Sequence, residues 1–295
     1  MSRRSPFYVS LKRFSSRKIT LAALAVLCLI VLAALLAPLI SSITGLQPEA
    51  QFLDNQFASP SLSHPFGTDE LGQDIFIRVL YGARISMLVG LLGALVSLVL
   101  GTAYGAISGY AGGKVDNIMM RIVEVIYSLP FLFLIILVIT IIPQEISDQY
   151  NILIIFVILG LVQWLTLARI VRGQVMSLKH SEFVMAARAV GTSGTGIILR
   201  HLIPNLTGQL IVYTSLTVPR IILQESFLSF LGLGVKTASW GVLVRDAMKQ
   251  LNPVEITWWP VVFPCLIMSL ALLSLNFIGE GLRQAFSPDA TPDNA

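Results

Sequence analysis

The sequence predicts an all-α polytopic membrane protein with six transmembrane helices. Of its 295 residues, 55% are hydrophobic and only 12% charged, with mean hydropathy +0.79. A soluble domain carries about 25% charged residues. The apolar residues gather into runs of roughly 20, the length that crosses ~30 Å of hydrocarbon as a helix. The ionisable residues collect between those runs. A pI near 9.2 and a net charge of +4 would also suit a nucleic-acid partner. The positive charges, however, are spread through short inter-helix segments, which membrane orientation explains and a single phosphate-binding patch does not. Membrane lipid is therefore the expected environment, and no nucleic acid is expected.

Residues 1–18 form a basic N-terminus carrying Arg3, Arg4, Lys12, Arg13, Arg17 and Lys18. The first span, 19–40, follows with 22 residues and no charge. A cleaved signal peptide is the competing reading, but the run is too long for an h-region and Ala37-Pro38 is no small-x-small cleavage site. An external loop, 41–84, carries Pro48, Pro60 and Pro65. Within it His64, Asp69 and Asp74 raise a metal reading. One His and two carboxylates at irregular spacing are a weak ligand pattern, so a structured loop is favoured and no metal expected. The remaining five helices form a core over 85–279, followed by a tail over 280–295 whose end, from Ser287, is polar and expected to be disordered.

The second span, 85–110, places Gly93, Ser97, Gly101, Gly105 and Gly109 four residues apart, a stripe of small side chains that lets another helix approach closely. Whether that seam is internal or faces a second subunit stays open. The turn after it contains Gly112, Gly113, Lys114 and Asp116; its Gly-Gly-Lys lacks the spacing of a phosphate loop. The third span is 118–142, with Arg121 and Glu124 one turn apart and able to pair. A brief acidic loop leads to the fourth span, 152–168, ending at Arg169 and Arg172. The fifth is 206–231 and the sixth 259–278, the latter preceded by Trp258 and Trp259 as interfacial anchors.

The stretch 177–205 between the fourth and fifth spans is the longest polar-rich interval of the C-terminal half. It reads as two short helices. Ser181 can cap the first, with Glu182 in the first turn and Gly191 as a left-handed stop. Pro204 would end the second, which Gly194 and Gly196 make short or loose. Ala186 and Ala187 keep one side low for a partner, although a plain surface helix would read the same way. With six spans, the N-terminus, this loop and the tail share one side. That side holds fourteen of the 20 Lys and Arg residues, against Arg78, Arg84, Arg220, Lys236, Arg245 and Lys249 on the other. The positive-inside rule then puts both termini and the loop in the cytoplasm, and loops 41–84 and 232–257 outside.

In the fifth span Pro219, Arg220, Gln224 and Glu225 interrupt an apolar helix. Charges at membrane depth face a cavity or one another. Arg220, Gln224 and Glu225 therefore line a translocation path, or Arg220 and Glu225 form a buried ion pair, or they sit at the outer interface. No catalytic constellation stands out: His64, His180 and His201 occupy different loops without a nucleophile beside them. Cys28 and Cys265 lie inside apolar runs and imply neither a disulfide framework nor a metal cluster.

The pattern Glu182, Ala186-Ala187, Gly191, Pro204 resembles the EAA loop of permease subunits in ATP-binding-cassette importers. Arg200-His201 and Pro204-Asn205 make it similar to the oligopeptide, dipeptide and nickel branch. The His64–Asp74 stretch with Arg78, Tyr81-Gly82 and Arg84 resembles the same branch, although Gln73 stands where an Arg is commoner. The run Glu225 to Gly234, then Trp240-Gly241 and Phe277 to Arg283, extend the resemblance over essentially 1–286; Trp164 to Lys179 and Glu225 to Gly234 look closest to oligopeptide permeases. The resemblance implies a type I importer permease architecture and a non-catalytic subunit of a bacterial cytoplasmic (inner) membrane. It implies that Glu182, Ala186, Ala187, Gly191, Arg200, Pro204 and Asn205 form a coupling loop docking into an ATPase. ATP and Mg would be held by two partner ATPase subunits, with no cofactor on this chain. The other implied partners are a second permease subunit (a heterodimer), an external or periplasmic binding protein and a peptide substrate, moved by alternating access. Nickel or other metal chelates and antimicrobial peptides are alternative cargoes on the same scaffold. An ion-coupled secondary transporter is the alternative from another class; it would want more intramembrane acids than Glu124 and Glu225 supply.

Overall fold

The computed structural model describes residues 14–250 and 257–286. The expected disordered tail from Ser287 and the basic residues Arg3, Arg4, Lys12 and Arg13 lie outside the described residues. The described elements are all helical: α1 (Lys18–Thr44), α2 (Ile75–Ala111), α3 (Gly113–Tyr127), α4 (Phe131–Ile141), α5 (Gln144–Gln149) and α6 (Asn151–Leu178). They continue with α7 (Glu182–Ala189), α8 (Gly194–Ile197), a π-turn (Ile198–Leu202), α9 (Ile203–Phe230), α10 (Trp240–Lys249) and α11 (Trp259–Ala285). Five helical runs are long and apolar enough to cross a membrane: α1, α2, α6, the continuous stretch Gly194–Phe230, and α11. Counted as one broken span, the bent pair α3–α4 makes the sixth.

That third span is not the single straight segment expected over 118–142. α3 and α4 meet at 90° across Ser128, Leu129 and Pro130. The residue before a proline avoids the α region, and the proline has no N–H to offer the preceding turn, so Leu129-Pro130 breaks the ladder. Other boundaries shift for local reasons. α2 starts at Ile75, inside the stretch expected to be loop, because Asp74 caps it: its Oδ1 accepts the Ile77 N–H at 2.9 Å. α6 continues well beyond Ala168 to Leu178, since both arginines at its end find partners. The Arg169 guanidinium lies 3.9 Å from the Tyr127 ring centroid, and Arg172 bonds to Asp116.

The centre of the bundle is the α2–α6 seam. All five small residues of the α2 stripe are buried, and four of them lie against α6. A Cβ on Gly109 would sit 2.7 Å from the Arg172 carbonyl, and one on Gly101 2.7 Å from Leu167 Cβ; at Gly105 it would collide with the Ala168 carbonyl. The seam is thus internal to the chain, and only the absence of side chains permits the approach. α9 packs on the neighbouring face of α2, where Ile222 abuts Gly90. α1 and α11 flank this centre and meet where Gly281 touches Thr20, while Phe286 lies on Gly208. The start of α1, the end of α11 and the 177–205 loop therefore share one end of the bundle. The outward faces of α1 (Leu29, Leu32, Leu35) are exposed apolar surface, as lipid requires.

At the opposite end, the loop before α2 folds back on itself and is pinned by α11. The Trp259 indole N–H donates to the Thr68 carbonyl at 3.1 Å, and Phe66 stacks on Phe263 with centroids 4.2 Å apart. Trp259 is thus a clasp for the loop, whereas Trp258 stays exposed.

Candidate functional site

The 177–205 loop is a locked appendage rather than a loose connection. α7 closes with a Schellman motif: Gly191, at φ +80°, donates its N–H to the Arg188 carbonyl, and Thr192 donates to the Ala187 carbonyl, both at 3.0 Å. The expected cap at Ser181 is absent. Its backbone is extended as a cap requires, but its hydroxyl turns back to donate to the Leu178 carbonyl at 2.6 Å. Ser193 caps the next turn instead, its Oγ accepting the Gly196 N–H at 3.2 Å. That helix is four residues long, as its glycines predicted, and widens at once into the π-turn.

Pro204 does not end this helix. It stands in the first turn of α9, so the chain runs helically from Gly194 through to Phe230. A proline ring clashes with the carbonyl four residues back in a regular helix, and the wider π-turn just before it relieves that clash. Asn205 turns its Nδ2 to the His201 carbonyl at 2.7 Å, and Arg200 is exposed.

The faces of α7 differ from the expectation that Ala186 and Ala187 share one open side. Val184 and Ala187 are buried against Val171, Val175, Ile197 and Leu202. Glu182, Phe183, Met185, Ala186 and Val190 stay exposed, Val190 at 82%. Two further contacts fix the loop to the end of α2. The Arg188 guanidinium lies over the Tyr110 ring, and Lys179 Nζ donates to the Gly109 carbonyl at 3.0 Å.

Beside the loop sits a polar node that motif reading passed over. Asp116, at the start of α3, is 4% exposed. Arg172 of α6 grips both of its oxygens, Nε and Nη2 each at 2.5 Å, and Ser108 of α2 donates to it at 2.5 Å. The sequence showed Asp116 only as part of a glycine turn; its spacing from Arg172 carries no local signature.

In the fifth span the structure separates the three polar residues. Five helical steps of about 100° place Arg220 and Glu225 about 140° apart. Arg220 is exposed and forms no ion pair among the described residues. Gln224 accepts a hydrogen bond from Gln163 of α6 at 2.8 Å. Glu225 is fully buried and points the other way, into a cage of hydroxyls. Ser86 (3.2 Å), Ser226 (3.4 Å) and Ser229 (2.6 Å) donate to its carboxyl, and Ser239 also bonds to it. The Ser86 and Ser229 hydroxyls in turn accept the backbone N–H groups of Trp240 and Val235. The ion-pair alternative is therefore not formed. Glu225 fastens α2 and the start of α10 to α9, a role legible only once Ser86 is brought to it.

Arg121 and Glu124 pair at 3.2 Å in the open. Among the described residues no three His, Cys, Asp or Glu side chains gather as metal ligands. His64 Nδ1 bonds Asp74 at 2.8 Å, while Asp69 pairs with Arg78 and accepts the N–H groups of Leu71 and Gln73.

Comparison with known proteins gives two family matches. Residues 101–291 match the family described as binding-protein-dependent transport system inner membrane component. Residues 5–60 match the N-terminal TM domain of oligopeptide transport permease C. Among individual proteins, the chain is 45% identical to the oligopeptide transport system permease protein OppC of Haemophilus influenzae over 94% of its own length and 86% of that protein. It is 45% identical to OppC of Escherichia coli, covering 94% and 89%, and 40% identical to the dipeptide transport system permease protein DppC of Bacillus subtilis, covering 94% and 84%.

Proposed function

The chain belongs to the family of binding-protein-dependent transport system inner membrane components, and from that membership we propose that it is the permease subunit of an ATP-driven importer of oligopeptides or dipeptides. The observation that carries the reading is the two-faced α7. Its inner face, Val184 and Ala187, is built into the bundle, while Phe183, Met185 and the following Val190 are exposed in the segment between two spans. An apolar knob on the polar end of a membrane protein is suited to a groove on a soluble partner. The partner proposed is an ATPase subunit, two of which serve this chain and a second permease subunit. Both termini and the loop lie in the cytoplasm, and the opposite end receives peptide from a binding protein.

In this reading ATP binding draws the ATPases together and their grip on the loops turns the permeases outward; hydrolysis lets them return, releasing peptide inward. Peptide specificity follows the relatives, which are named for oligopeptide and dipeptide transport. Arg220 and Gln224 line the path, with Arg220 offering its charge to a peptide carboxylate; Glu225, fully buried, acts instead as a fastener. The test is reconstitution of the complex in liposomes with labelled peptide. ATP-dependent uptake is expected, with Arg220→Met lowering it several-fold. Purified complexes without ATPase subunits, or uptake driven by an ion gradient alone, would overturn the proposal.

A further inference from the structure

The Asp116–Arg172 pair joins α2, α3 and α6 beside the point where the 177–205 loop leaves α6. The α2–α6 seam has no slack, because a single added methyl at Gly105 or Gly109 would strike the α6 backbone. α2 and α6 must then move as one body, and α7 is fixed to that body through Val184, Ala187 and the Lys179–Gly109 bond. The bent third span has a different attachment. Most of α3 is exposed: Val115, Ile118, Ile122 and Val125 all face outward. Only Asp116, Met120 and Val123 are buried along it. Tyr104 adds a bond from its hydroxyl to the Met119 carbonyl at 2.8 Å. Asp116 is thus the buried acidic anchor of α3 on the α2–α6 body, held bidentately by Arg172 and a third time by Ser108, with the Arg169–Tyr127 contact at the far end of α3.

We infer that Asp116 is a positioning residue that passes displacement of the 177–205 loop from the α2–α6 body to the bent span α3–α4. This rests on the importer reading above. A bidentate guanidinium–carboxylate contact suits the task because it fixes direction as well as distance. Arg172 lies two turns before Lys179, where the loop departs, so a tilt of the end of α6 reaches Asp116 directly. The π-turn and the 90° break are two places where helix regularity is already interrupted, and in this proposal the rotation is taken up there.

The experiment uses the full reconstituted complex and measures peptide imported per ATP hydrolysed. Asp116→Asn keeps the shape but loses the bidentate charge. It is expected to lower that ratio about fivefold or more while assembly and ATP hydrolysis persist. Asp116→Glu should recover part of the loss, and the exchange Asp116→Arg with Arg172→Asp should recover more than either single change. An unaltered ratio in Asp116→Asn would overturn the inference. So would loss of assembly in Asp116→Asn that the exchange fails to rescue, since the pair would then serve folding alone. If the unmodified complex imports no peptide with ATP, the importer reading itself fails, an outcome distinct from these.

Discussion

At the scale of single residues, glycine positions divide into those that need space and those that need backbone freedom. Gly105 and Gly109 need space, because α6 lies where a Cβ would go. Gly191 has open surroundings but φ +80°. Left-handed backbone costs an L-residue about 1–2 kcal/mol, more for a β-branched one, whereas asparagine tolerates it. Gly191→Val is therefore expected to loosen the end of α7 and reduce peptide-stimulated ATP hydrolysis severalfold with membrane insertion intact. Gly191→Asn should retain most of it. Equal loss in both, measured on the reconstituted complex, would shift the explanation from backbone to lost contact. Glu225 teaches the complementary lesson: a carboxylate in an apolar run reads as a path-lining group, an ion-pair partner or an interfacial charge, yet the groups that satisfy it are neutral hydroxyls.

At the scale of elements, α7 is short enough that its faces can be tested separately. Val184 belongs to the bundle and Met185 to the free surface. Truncating a buried aliphatic side chain costs roughly 1–3 kcal/mol through lost transfer energy and a residual cavity. Val184→Ala should thus lower thermal stability in detergent by several degrees. Met185→Glu should leave the melting temperature nearly unchanged yet reduce the ATPase recovered on co-purification at least tenfold. Full ATPase recovery with Met185→Glu would show that this face is not the docking surface. The third span shows where element boundaries escape periodicity. Its hydropathy is continuous across Leu129-Pro130, so composition reads one segment, while the missing N–H divides it.

At the scale of the whole molecule, the bundle has two unlike ends. One gathers the start of α1, the loop and the end of α11. The other holds the pinned loop before α2. The proposed orientation makes a simple prediction in a background with Cys28 and Cys265 replaced by serine. A cysteine at Leu62 should react with a membrane-impermeant maleimide in intact cells. A cysteine at Val190 should react only after the membrane is opened. Both positions are highly exposed on the chain itself, and with the permease expressed without its ATPase subunits reactivity reports sidedness rather than burial. The reverse pattern would invert the topology and remove the ATPase from the loop.

Hydropathy, charge placement and turn chemistry are properties of neighbouring residues. They sufficed to identify a six-span helical membrane protein, the place of its exposed loop and the left-handed stop at Gly191. The cap at Ser181, the terminating role of Pro204 and the open side of α7 were read less well, because each depends on what the next element offers. Tertiary structure alone decided the rest. Asp116 meets Arg172 across 56 positions, Gln224 meets Gln163 across 61, and Glu225 meets Ser86 across 139. A buried polar group must be satisfied by whatever packing brings within about 3 Å, and packing is set by the shapes of whole helices.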